Sequence, residues 1–80
     1  MLYYASPFKD EFGCWYEGQC LKGTTTAEGK GVLVFPHGEI QEGLWLNNKL
    51  NYKARVIYPS GAVYEGDYKN GQKNGYGTYF

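Results

Sequence analysis

Twelve glycines in 80 residues would loosen any fold, because glycine gives up more backbone freedom on ordering than any other residue. Their spacing is what constrains this chain. Glu-Gly recurs at 17/18, 42/43 and 65/66, and Pro-x-Gly at 36–38 and 59–61. The Pro-x-Gly interval and the second Glu-Gly interval are both 23 residues, and the first Glu-Gly interval is 25. Self-similarity at a fixed period marks a stack of like units, each unable to bury its apolar face alone.

Shorter spacings locate the two extra residues. Gly18–Gly23, Gly43–Asn48 and Gly66–Gly71 are all five apart, and Gly31–Gly38 equals Ala54–Gly61 at seven, so the insertion lies between Gly23 and Gly29. There the first unit reads Gly23-Thr-Thr-Thr-Ala-Glu-Gly29 where the last reads Gly71-Gln-Lys-Asn-Gly75, a longer loop of the kind that turn tips tolerate. Asn48 stands where the other units have glycine, and asparagine is the other residue that accepts a positive φ, so a left-handed turn is expected there. Upstream, Gly13-Cys-Trp-Tyr-Glu-Gly18 matches Gly61-Ala-Val-Tyr-Glu-Gly66 in register. The repeat domain is therefore expected over 13–80, with units at about 16–40, 41–63 and 64–80. Residues 1–12 form an N-terminal strand or a degenerate half repeat; Pro7 and Lys9-Asp10-Glu11 fit the template poorly.

Each unit has two short alternating stretches between glycine-rich turns, the pattern of a β-hairpin. Strands are expected near 14–21, 30–35, 39–46, 53–58, 62–69 and 76–80, with no helical stripe longer than two turns. Alternation sorts the side chains onto two faces. One face gathers Tyr16, Gly18, Cys20, Gly31, Leu33, Phe35, Gly43, Trp45, Ala54, Val56, Tyr58, Tyr64, Gly66, Tyr68, Gly77 and Tyr79, so that rings alternate with small residues. A ring lying across a neighbouring glycine covers backbone that would otherwise face water. The other face carries Glu17, Gln19, Glu42, Lys53, Arg55, Glu65, Asp67 and Lys69, interrupted by apolar residues such as Trp15, Val32, Leu44, Val63 and Phe80. One sheet with apolar groups on both sides has more surface to hide than it can hide alone.

These residues resemble the MORN repeat family, whose unit reads approximately Tyr-x-Gly-x-Trp-x-x-Gly, a polar turn, Gly-x-Gly-x-Tyr and a further glycine. The last unit matches nearly throughout: Tyr64, Gly66, Tyr68 in place of tryptophan, Gly71, Gly75, Gly77 and Tyr79. The first keeps Tyr16, Gly18, Gly23, Gly29, Gly31 and Gly38, with Cys20 replacing the aromatic residue. The middle unit keeps Gly43, Trp45 and Gly61 but has Gln41, Asn48, Tyr52 and Ala54 where tyrosine or glycine is preferred. The resemblance implies an all-β, single-layer, twisted antiparallel meander of about three MORN-type hairpins. It also implies a scaffold or docking role, beside cytoskeleton, cilia or membranes, and sometimes in company with a separate catalytic domain.

Composition narrows the chemistry. Eight basic and eight acidic side chains cancel, so no long-range field gathers a polyanion, and nucleic acid is not an expected partner. The N-terminus has neither the basic start nor the apolar run of a secretory signal, and no stretch of eighteen apolar residues occurs; the expectation is a soluble, cytoplasmic chain, at most peripheral to a membrane. If Cys14 and Cys20 share one extended strand, they stand about 20 Å apart, beyond disulfide reach. Two cysteines and one distant histidine supply no zinc set. His37 falls in a turn, Gly71–Gly77 lacks the Gly-Lys-Ser/Thr of a phosphate loop, and Glu17, Glu42 and Glu65 recur with the repeat as a row expected to pair with Lys53 and Arg55. No enzymatic activity, cofactor or small-molecule substrate is expected.

The expected function is that of a subunit of a larger protein assembly. The sheet's last strand, ending Gly-x-Tyr-Phe, leaves backbone and rings for a neighbouring chain to cover. Trp45, Tyr58, Tyr64, Tyr68, Tyr79 and Phe80 are the expected contacts. The alternative is a membrane- or enzyme-associated accessory targeting module that binds anionic phospholipid, with Lys22, Lys49, Lys69 and Lys73 near one set of turns as the residues that would touch it.

Overall fold

The computed structural model describes residues 1–80. Seven strands follow one another: β1 (Leu2–Lys9), β2 (Trp15–Leu21), β3 (Ala27–Val34), β4 (Ile40–Leu46), β5 (Lys49–Ile57), β6 (Val63–Lys69) and β7 (Gln72–Tyr79). Each pairs antiparallel with the next, giving one open sheet in chain order with no helix. The molecule measures 36 × 25 × 16 Å, a slab one sheet thick once side chains are counted. The segment Leu2–Lys9 pairs along β2, with Ala5 opposite Gly18, so the sheet has one strand more than the six read from alternation.

The repeat sets the backbone geometry position by position. Gly23, Asn48 and Gly71 share positive φ values of 80°, 69° and 81° at the tips joining β2–β3, β4–β5 and β6–β7, so the asparagine makes the turn its neighbours make with glycine. A second set, Gly29, Tyr52 and Gly75, has φ values of 91°, 64° and 78°. These residues lie inside β3, β5 and β7 rather than in the connecting loops, which is why those strands begin earlier than the expected positions 30, 53 and 76. Beyond each cross-strand pair Gly18–Gly31, Gly43–Ala54 and Gly66–Gly77 the register slips by two residues, a bulge repeated in all three hairpins.

The core is built on the small-residue pairs. Ala5, Gly18, Gly31, Gly43, Ala54, Gly66 and Gly77 are successive partners, so a nearly bare furrow of backbone crosses all seven strands. Tyr16 lies in it, and a Cβ on Gly31 would overlap its Oη, Cζ and Cε1; Tyr64 lies in it equally, and a Cβ on Gly77 would overlap the same three atoms of its side chain. The bulge leaves the Gln19 carbonyl free to accept from the Tyr16 hydroxyl at 2.7 Å, and the Gly31 carbonyl accepts from the indole N–H of Trp45 at 2.9 Å. Edge-to-face contacts Tyr16–Trp45 (5.9 Å) and Tyr64–Tyr68 (5.8 Å) close the cluster, to which Cys20, Ala27, Leu50, Ala54 and Val56 add aliphatic bulk. The rings are thus gathered chiefly on one face, as alternation requires.

In the middle unit Gln41 takes the tyrosine position and Ala54 the glycine position, so the methyl group stands where the ring would lie. Gly31→Ala should cost about 1–3 kcal/mol by overpacking. In a Tyr16→Gln background the same change should cost about 1 kcal/mol less or better, a coupling read from a double-mutant cycle in urea; strict additivity contradicts the compensation. Tyr52 is an exposed ring in a left-handed conformation. Tyr52→Gly should therefore raise the midpoint of thermal unfolding, with about 1 kcal/mol gained.

Candidate functional site

The six expected contact residues divide by burial. Trp45, Tyr64 and Tyr68 are 5%, 4% and 8% exposed, spending their surface on the chain's own core, and Tyr58 is half-buried. Tyr79 and Phe80 are 60% and 61% exposed and are joined by Tyr76 at 90%. The exposed rings fall on both sides of β7: Tyr79 faces the aromatic cluster, 4.9 Å from Tyr64, whereas Phe80 exchanges backbone hydrogen bonds with Val63 at the margin of the opposite face. Every residue of β7 is exposed, because its second edge has no strand beside it.

What that edge offers follows from how each unit holds the next. The Asn48 N–H donates to the Ala27 carbonyl (3.0 Å) and the Gly71 N–H to the Leu50 carbonyl (2.9 Å). Beside them the Asn47 N–H donates to the Glu28 carboxylate (3.0 Å), and the Asn70 N–H to the Asn51 amide oxygen (3.1 Å). The tips of the second and third hairpins are therefore each clasped by a backbone carbonyl and the following side chain of the unit before it. The 23-residue register puts Lys73 and Asn74 at the clasping positions of β7. Nothing in the glycine pattern announces this contact; only superposing the units on their period reveals that 27/28, 50/51 and 73/74 are equivalent.

Lys73 is near one of these turns, as expected from the sequence, but its surroundings set it apart from the other three lysines. It lies within β7, its ammonium 4.7 Å from the ring centres of Tyr64 and Tyr79 and 5.5 Å from that of Tyr58, and it donates a hydrogen bond to the Tyr79 hydroxyl. The Tyr58 and Tyr79 hydroxyls beside it hold it above the usual lysine range. The other lysines of that set, Lys22, Lys49 and Lys69, are exposed at the tips. Tips at the other end of the strands carry Asp10, Glu11 and Glu39, with exposed His37 3.7 Å from Glu39.

On the opposite face Arg55 bridges Glu42 (3.7 Å) and Glu65 (3.3 Å), as the recurring glutamates suggested. Lys53 instead pairs with Asp67 at 2.5 Å, its hydrogen bond holding that carboxyl below the usual range. These groups rim a shallow groove of about 670 Å³ whose floor is the furrow at Gly31, Gly43, Ala54 and Gly66. Both signs of charge line it and are already largely paired. Cys14 and Cys20 are free and buried, and burial pushes both thiols up, away from the reactive thiolate.

Fold and register define a single-sheet β-hairpin repeat protein. The family model described as MORN repeat matches residues 64–80, which span β6, its turn and β7. The last unit is thus similar to a MORN repeat, a match consistent with a MORN-repeat protein; MORN repeats are generally non-catalytic and often occur in protein- and membrane-interaction contexts. No curated protein matches the chain.

Burial pushes the Tyr68 hydroxyl up to about 12 from 10.0 and raises Tyr16 further. The unfolded chain releases these protons near pH 10 and the folded one does not, so their stabilising contribution is complete below pH 10 and lost as pH rises toward 12. Alkaline unfolding should coincide with late tyrosinate absorbance; tyrosines that all titrate near pH 10 in the folded protein would contradict this burial.

Proposed function

We propose that the chain is a non-catalytic scaffold that joins a larger protein assembly through the open edge of β7. The observation that carries this reading is the combination on one strand of an unpaired edge, exposed Tyr76, Tyr79 and Phe80, and the positions that clasp a hairpin tip in the two preceding units. An added strand would satisfy backbone groups of β7, and rings at its margins would supply apolar area. The incoming element is expected to be a hairpin or extended segment with a tip N–H at the height of Lys73 and Asn74. Cytoskeletal or ciliary assemblies are the settings that the family resemblance suggests.

A second reading, contact with anionic phospholipid, is favoured by one observation: Lys22, Lys49 and Lys69 share one end of the strands, while the acidic tips lie at the other. The Lys73 ammonium is directed toward the tyrosines.

The scaffold reading predicts that protein partners recovered with the tagged chain from its native source are lost on Tyr76→Ser/Tyr79→Ser/Phe80→Ser, with an unchanged circular dichroism spectrum. Partners retained by the folded triple variant would remove β7 as the contact. Salt-sensitive flotation with anionic vesicles, lost on neutralising Lys22, Lys49 and Lys69, would favour the lipid reading instead.

A further inference from the structure

The position of Lys73 is unusual for a lysine. Its counterparts one and two periods earlier, Leu50 and Ala27, are buried members of the core. The same position in the last unit carries a long cationic side chain, exposed on the edge strand, whose ammonium lies against the rings of Tyr58, Tyr64 and Tyr79. Three separate pieces of backbone hold those rings. Tyr58 follows the end of β5, Tyr64 lies on β6, and Tyr79 lies on β7 directly opposite Tyr64. Tyr68 backs Tyr64 edge-on, so the rings are positioned by the sheet and by one another rather than by the lysine.

We propose that Tyr58, Tyr64 and Tyr79 form a binding site for a quaternary ammonium group, which Lys73 occupies in cis. An aromatic face attracts a cation within about 6 Å of its centre, and all three rings meet that distance around a single nitrogen, at 4.7, 4.7 and 5.5 Å. A primary ammonium carries three N–H donors and strong hydration; beside the rings Lys73 finds the hydroxyl of Tyr79 as hydrogen-bond partner. A quaternary ammonium has no N–H to satisfy and gives up less hydration, so the same rings suit it better than they suit the resident lysine. Lys73 sits on an edge strand, and its four-carbon arm can swing out by rotation about single bonds without moving the backbone. The resident side chain is therefore a competitor that a ligand of the right chemistry displaces. The site stands on ring geometry and does not depend on the scaffold reading of β7.

Tetramethylammonium chloride is the probe, with sodium chloride at equal ionic strength as the control. Lys73→Ala opens the site and should bind the probe at least about tenfold more tightly than the wild type. The gain is read in the ring-proton shifts of Tyr58, Tyr64 and Tyr79, and Tyr79→Ala in the same background should abolish it. Lys73→Leu, which restores the residue of the middle unit, should fill the space and show no gain. In the wild type the ε-methylene protons of Lys73 should be shifted upfield by ring currents relative to those of Lys69, and should move toward the Lys69 position as the probe displaces the side chain. A folded Lys73→Ala variant with no gain in affinity overturns the proposal. If that variant does not fold, the wild-type measurement decides: coincident Lys69 and Lys73 shifts, or Lys73 shifts indifferent to the probe, overturn it as well.

Discussion

A sheet without a second layer has to make its core from its own surface, and here that depends on tyrosine rings lying flat in a furrow where side chains are missing. The contact needs two things at once. Glycine must be paired with glycine across neighbouring strands, so that backbone alone forms the floor, and a ring must start two residues earlier on the same face, so that it reaches over the gap. Tyr16 with Gly18 and Gly31 meets both requirements, as does Tyr64 with Gly66 and Gly77. The bulge beyond each pair is part of the same device: in the first unit it frees the carbonyl that receives the Tyr16 hydroxyl, sparing a buried polar group the cost of having no partner.

The middle unit shows which of these requirements can be traded. Gln41 and Ala54 exchange a ring for a methyl group while Gly43 stays, because a Cβ there would lie 2.7 Å from the Lys53 carbonyl oxygen and 2.9 Å from the Ala54 methyl. Trp45 then compensates from the far end of the same strand, extending its indole to the Gly31 carbonyl and its edge to Tyr16, so that first and middle units share one cluster. Tyr52 keeps the left-handed backbone of Gly29 and Gly75 without being glycine. Tertiary pairing on both sides of β5 fixes that conformation against the residue's own preference.

The same logic separates core from surface among the aromatic residues. Sequence placed Trp45, Tyr64, Tyr68 and Tyr79 on one face, and that face exists; alternation cannot say which of its rings are covered. Trp45 and Tyr68 are covered because a preceding unit lies beside them, and Tyr79 is open because β7 has a neighbour on one side only. The expected contact set thus divided along the direction of stacking, a distinction that no window of residues contains. The surroundings of Lys73 were missed for a related reason: near a turn a lysine reads as solvated, and only its alignment with Leu50 and Ala27 marks it as the counterpart of two core residues.

The sequence by itself determined the period, the hairpin in each unit, the left-handed turn at Asn48 and the face on which rings and small residues gather, because these follow from backbone conformations and alternation that act over a few residues. It also carried the MORN resemblance, which the match over 64–80 sustains. Tertiary structure decided the rest: the bulges inside β3, β5 and β7, the clasp of the second and third tips by the preceding unit, the exchange of Lys53 from the glutamate row to Asp67, and the tyrosines around Lys73. Each of these joins groups from different strands. Its energy arises only when registers across the sheet are set together, so local sequence preference carries no trace of it.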